Sequence, residues 1–279
     1  MYFEEEHGFI KQSLKVKEKI FETKSKYQNI EVYKSEDLGN ILVLDGNAMM
    51  SQKDEFIYHE MLAHVPICTH REPSKVLIIG GGDGGCAREV LRHCDIDIDL
   101  VEIDEEVINV SKKYFLGVSE VFENPRLNLT IGDGVEFIAN AEDKSYDIIL
   151  VDSTDAKNHS SGLFEPAFYA QANRVLKDDG LMAVQGSSWF VDMDEHKNIL
   201  KKMGSLFDIV MPYRYEMITY PGVNWNFILA SKKYHPTADI ILQRADLIED
   251  LKYYNSDIQR ASFAVPTYVK KELLGIAKN

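Results

Sequence analysis

The chain has 279 residues, 45% of them hydrophobic, with only 17 glycines and 8 prolines, which is enough for one sizeable core plus a small extra module and excludes a low-complexity chain. Its formal net charge of −14 argues against nucleic acid or an anionic membrane as partner, since both select basic surfaces, and would draw a cationic ligand. No apolar run approaches the roughly 20 residues needed to span a bilayer, and the start MYFEEEHGFIKQ has no apolar stretch of the kind that heads a secretory signal.

Three cysteines, Cys68, Cys86 and Cys94, have no CxxC or histidine-rich context. They read as reduced thiols of a cytoplasmic protein rather than a disulfide frame or a zinc site. Residues 1–65 carry short β-like runs at 9–25, 29–36 and 40–46, with turn signals at Leu38-Gly39-Asn40 and Asp45-Gly46-Asn47. They predict a small N-terminal β domain. From Lys75 the grammar changes, and the second domain is expected over 66–279.

KVLIIG (75–80) is an apolar β-branched strand, followed by a helical CAREVLRH (86–93). IDIDLVEID (96–104) is a strand and EEVINVSKKYF (105–115) has helical spacing. RLNLTIGDG (126–134) and YDIILVDSTD (146–155) are the third and fourth strands, with VEFIANA helical between them. A helix ending near Lys177 leads to the fifth strand, GLMAVQG (180–186). Apolar strands separated by amphipathic helices describe a parallel sheet covered on both faces, an α/β fold. The runs 208–220 and 224–233 lie too close together for a helical crossover and predict an antiparallel hairpin on the sheet edge.

In such a sheet, ligands sit beyond the C-terminal strand ends. Four successive ends are acidic here. Asp83 lies inside the glycine loop Gly80–Gly85, Glu102 closes the second strand, Asp133 follows the third, and Asp152 and Asp155 follow the fourth. Gly80-x-Gly82-x-x-Gly85 matches the dinucleotide fingerprint, so an NAD oxidoreductase is one candidate. A pyrophosphate, however, needs bare amides. Asp83 beside it would cost on the order of a few kcal/mol at an effective dielectric near 20. An adenosyl sulfonium reverses the sign, because its sulfur and amine are cations. Cys86, among so many acids, reads as structural. No metal is expected, because the acids come from different strands and the ligands are already cations.

The segments YQNIEVYKSEDLGNILVLDG, DEFIYHEMLAHVP, VLIIGGGDGG, EID, GDG, DIILVDSTD and KYYNSDIQRASFAVP occur in order along nearly the whole chain. With them the sequence resembles the spermidine synthase (polyamine aminopropyltransferase) family. That resemblance implies a Rossmann-like, class I methyltransferase-type sheet, mostly parallel, behind the β domain. It implies decarboxylated S-adenosylmethionine as aminopropyl donor, a diamine (usually putrescine) as acceptor and methylthioadenosine as product. No permanently bound cofactor is implied, and the assembly is expected to be a homodimer or homotetramer.

By the same resemblance, Gln28, Glu102, Asp133 and Gly134 contact the nucleoside, and His59 and Asp83 meet the donor's aminopropyl arm and the polyamine. Tyr58, Gln185 and Tyr220 line the acceptor channel. Asp152 is the catalytic proton acceptor, and Asp155 pairs with a polyamine amine. Without the resemblance, Tyr58, His59, Gln185 and Tyr220 would read as ordinary buried polar residues. Three positions depart from the family: His159 stands where a nucleoside-contacting proline is usual, Met49 replaces a glutamine at the acceptor end, and Gln259 replaces a frequent histidine. The rivals are another diamine as acceptor, a diamine N-methyltransferase using S-adenosylmethionine, and a non-catalytic polyamine-binding protein.

Overall fold

The computed structural model describes residues 1–154 and 158–279; Asp155 lies outside the described residues, as does the side chain of His159. The N-terminal region holds a hairpin, β1 (Tyr2–His7) and β2 (Ile10–Lys15), and an antiparallel sheet of β3 (Glu18–Lys24), β4 (Asn29–Lys34), β5 (Asn40–Leu44) and β6 (Asn47–Ser51). The β5–β6 turn has Asp45 at φ 49° and Gly46 at φ 80°, both left-handed, which suits a two-residue hairpin loop. One face of the sheet (Ile30, Val32, Leu42, Leu44) packs on Val107, Val110 and Phe115 of the following domain. The other face packs with Phe3 and Leu14 of the hairpin.

Strands β1 and β6 were not foreseen. In β1 the alternation buries Phe3, Glu5 and His7 together, so polar residues occupy inward positions and mask the usual apolar signal. The run expected at 9–25 divides into β2 and β3 around Val16 and Lys17.

Helix α1 (Glu55–Thr69) comes next, and the division expected at residue 65 falls inside it. Nearly every α1 side chain is buried, because the helix is wedged between the large sheet and the C-terminal segment. That segment is pinned by Glu60, whose carboxylate accepts the backbone N–H groups of Lys252, Tyr253 and Tyr254.

The second domain runs β7 (Lys75–Gly80), α2 (Gly85–Leu91), β8 (Asp97–Glu102), α3 (Glu105–Tyr114), α4 (Leu116–Ser119), β9 (Leu127–Ile131), α5 (Gly134–Asn140) and β10 (Tyr146–Asp152). It continues with α6 (Pro166–Val175), β11 (Leu176–Ser188), α7 (Met193–Gly204), β12 (Ile209–Tyr215) and β13 (Trp225–Ser231). The sheet order is β12-β13-β11-β10-β7-β8-β9, and the five strands from β11 to β9 are parallel. The expected hairpin is present with β12 outermost. Strand β13 is antiparallel to both β11 and β12, so it alone reverses direction.

The β7 residues alternate between two cores. Val76 and Ile78 face α1 and α2, whereas Leu77 and Ile79 face the side of α5, α6 and α7. Burial on both faces is what an uninterrupted apolar strand requires. Chain order reverses between β7 and β10, and the crevice at that switch point lies beyond their C-terminal ends.

Candidate active site

The glycine loop after β7 is stitched to the end of β10. Gly81 N–H donates to the Asp152 carbonyl oxygen at 2.9 Å. A Cβ on Gly80 would stand 2.0 Å from that same oxygen, with φ at +82°. Only glycine lets the two strand ends approach this closely, and the approach brings Asp83 and Asp152 into one crevice. Donor atoms of His59, Asp83 and Asp152 all lie within 4.8 Å of one another. This trio could surround an ammonium group.

Glu102, at the end of β8, is buried and accepts from Gly82 N–H at 3.0 Å and Asp104 N–H at 2.8 Å. Burial, reinforced by the nearby Asp104 and Asp152 charges, pushes its carboxyl up to about 7. Asp152 is likewise pushed up to about 7, first by burial and then by the charge of Asp83. Asp152 Oδ2 is buried and has no hydrogen-bond partner among the described residues. For Asp83 burial also favours the neutral acid, but His59 and the Gly85 N–H outweigh it and hold the carboxyl below the ordinary range.

His59 sits on α1 with Nδ1 2.6 Å from Glu55 Oε2. Burial works against its imidazolium, yet Asp83 and Glu55 raise its pKa well above the usual value. Burial and the neighbouring Asp152 keep the Tyr58 phenol protonated. The Tyr58 ring meets Tyr220 edge-on at 6.0 Å, and Tyr220 Oη donates to the Met49 carbonyl at 2.9 Å. Asp133 caps α5 by accepting Val135 N–H at 2.7 Å. Gln28 donates to Asp104 at 2.9 Å, tying β4 to the end of β8. Cys86 is fully buried and its thiol is pushed up by burial, in keeping with a structural role.

Gln28, Tyr58, His59, Asp83, Glu102, Asp133, Gly134, Asp152, Gln185 and Tyr220 all line one cavity of about 290 Å³. The fold thus gathers every described residue that the sequence assigned to ligand contact or catalysis. It adds Glu5 and His7, which line the same cavity from β1. Glu5 accepts Ala48 N–H at 3.0 Å, and His7 Nε2 lies 2.6 Å from Asp192 Oδ2. Their signal was available in sequence as the inward parity of β1, but nothing in the sequence says which cavity that parity faces.

Fold and crevice define a class: an α/β protein with an acidic ligand cleft at the switch point of a Rossmann-like sheet. The Spermine/spermidine synthase domain model matches residues 55–240, and the Spermidine synthase tetramerisation domain model matches residues 1–52. The chain belongs to the spermine/spermidine synthase family.

It is 44% identical over 279 residues to the polyamine aminopropyltransferase of Clostridioides difficile (strain 630), covering 98% of each chain. It is 42% identical to the enzyme of that name from Methanocaldococcus jannaschii, covering 92% of this chain and 89% of the other. A crystal structure of spermidine synthase in complex with the transition-state analogue AdoDATO matches with a TM-score of 0.95 at 37% identity, covering 98% of this chain and 94% of that one. The spermidine synthase from Thermotoga maritima matches with a TM-score of 0.93 at the same identity, with the same coverage.

Proposed function

We propose that this protein is a polyamine aminopropyltransferase that moves the aminopropyl group of decarboxylated S-adenosylmethionine onto putrescine, giving spermidine and methylthioadenosine. The observation that carries this reading is the half-buried pair Asp83, in the loop that a phosphate would otherwise occupy, and Asp152, at the end of β10, both beside the buried His59. Carboxylates there suit a ligand that brings a sulfonium and amines, because buried cations need nearby acids. Glu102 would accept hydroxyls of the ribose, with Asp133, Gly134 and Gln28 around the base. Tyr58, Gln185 and Tyr220 wall the acceptor side, and Asp155 would hold a persistent charge on the polyamine.

The reaction is a displacement. The acceptor nitrogen forms a bond to the carbon beside sulfur, the C–S bond breaks, and its electron pair leaves with the neutral thioether. Holding the reactants in line can supply much of the acceleration. The attacking amine must first be neutral. From a pKa near 10.4, neutralising it at pH 7 costs about 4.6 kcal/mol. An ordinary aspartate is a poor acceptor for that proton, whereas a carboxyl raised to about 7 is far better matched.

Met49 lines the cleft at the acceptor side, which favours a longer or more apolar diamine as a second reading. The match of residues 1–52 to a tetramerisation domain supports a homotetramer. Mass spectrometry of products with the decarboxylated donor and a panel of C3 to C5 diamines tests the proposal. Methylthioadenosine with spermidine is expected. S-adenosylhomocysteine from S-adenosylmethionine would instead make the protein a methyltransferase.

A further inference from the structure

The cleft holds two carboxylates, Asp83 and Asp152, with oxygens within 4.8 Å of each other, and their surroundings differ. Behind His59 stands a rigid support. Glu55, one turn earlier on α1, receives His59 Nδ1 at 2.6 Å. Arg88 on α2 closes on both Glu55 oxygens at 3.0 and 2.9 Å. Its Nε donates to Glu89 at 2.7 Å, so the guanidinium is fixed on a second edge as well. Such bidentate pairs restrict geometry more than a single contact does.

With Nδ1 held from behind, His59 Nε2 faces Asp83 Oδ1 at 3.5 Å. That same oxygen takes the Gly85 N–H at 2.6 Å. A Cβ on Gly85 would lie 2.1 Å from the His59 ring, so α2 begins directly against the imidazole and the ring cannot swing that way. Asp152 receives no comparable ionic support among the described residues: Tyr58 is the hydroxyl that reaches it, and its Oδ2 is buried without a hydrogen-bond partner.

We propose that Glu55 and Arg88 are positioning residues which, acting through His59, commit Asp83 to a fixed anionic state and leave Asp152 as the carboxylate that exchanges a proton with the acceptor amine. The division of labour between two like groups is thereby set by residues that touch neither substrate. The proton partner named here rests on the functional reading above, whereas the support of His59 by Glu55 and Arg88 does not.

The groups facing His59 are Glu55 and Tyr58 from α1, Asp83 from the glycine loop and Asp152 from β10, with Arg88 behind Glu55. Removing the Glu55 charge disfavours the imidazolium, so His59 should titrate at lower pH. With less positive charge beside it, Asp152 should hold its proton to higher pH.

Arg88→Met takes one cationic partner from each of the buried carboxylates Glu55 and Glu89 and could unfold the chain, so Glu55→Gln and Arg88→Lys carry the test. In the ligand-free full-length protein, ring ¹⁵N shifts of His59 are followed across pH by NMR, alongside the kcat–pH profile at saturating substrates. Glu55→Gln is expected to lower the His59 titration point, move the acidic limb of kcat upward and reduce kcat about tenfold to a hundredfold. Arg88→Lys should fall between it and wild type. Unchanged His59 shifts and an unchanged limb in Glu55→Gln would overturn the proposal. Wild-type protein that makes no methylthioadenosine would sink the functional reading instead, while the ring shifts would still decide how His59 is held.

Discussion

Asp152 shows how one side chain can trade stability for chemistry. In the fold its carboxyl is held up to about 7, against an ordinary value near 4. Between those values the folded protein binds a proton that the unfolded chain has lost, so stability falls as pH rises through that window. Above pH 7 the ligand-free protein carries the full penalty. Asp152→Asn should therefore raise the melting temperature of the ligand-free protein at pH 8, read by differential scanning calorimetry. The same variant should lower kcat by about 10² to 10⁴, the range for losing a general base. A variant that turns over like wild type would remove Asp152 from its role. Asp83, Glu102, Asp133 and Asp152 were legible from the sequence because four successive strand ends carry acids. The raised state of two of them was not, since it comes from burial and from neighbours brought in by other strands.

At the scale of elements, the cleft wall that carries Tyr58 and Tyr220, proposed above as the acceptor side, depends on a staple between α1 and the β12–β13 connection. Asp54 is buried and accepts from Ser51 Oγ at 2.6 Å, Thr219 Oγ1 at 2.6 Å, and the N–H groups of Ile218 at 2.8 Å and Thr219 at 2.9 Å. It ties the segment bearing Tyr220 to the helix bearing Tyr58 and His59. Asp54→Ala leaves buried donors unpaired, each worth roughly 1–3 kcal/mol. The expected outcome is a lower melting temperature and a KM for the diamine raised about tenfold, with the donor KM little changed. A KM effect confined to the donor would show that the staple does not serve the acceptor wall. The parallel strands could be read because both of their faces are apolar. Strand β1 could not, because the partners that satisfy Glu5 and His7 are Ala48 and Asp192, far away in the chain.

Across the whole molecule, the net charge of −14 surrounds a cleft that is itself acidic, so a polycationic acceptor should be drawn in by long-range attraction. Salt screens such fields over about 10 Å at 0.1 M. Steady-state assays in a salt series should show kcat/KM for the diamine falling as ionic strength rises, with kcat much less affected. A flat profile would confine recognition to short-range contacts. The N-terminal region packs its four-stranded sheet on α3 and α4 and supplies Gln28 and, from the β1–β2 hairpin, Glu5 and His7 to the cleft, so the site needs both parts of the chain.

Local residue pattern alone determined the alternation of strands and helices from β7 onward, the glycine turn and the acidity of the strand ends, because each of these is written in neighbouring positions. The tertiary structure decided which acids face one another, which of them are pushed up toward neutral pH, and which distant side chains brace His59. Those properties depend on desolvation and on distances between segments that only packing sets.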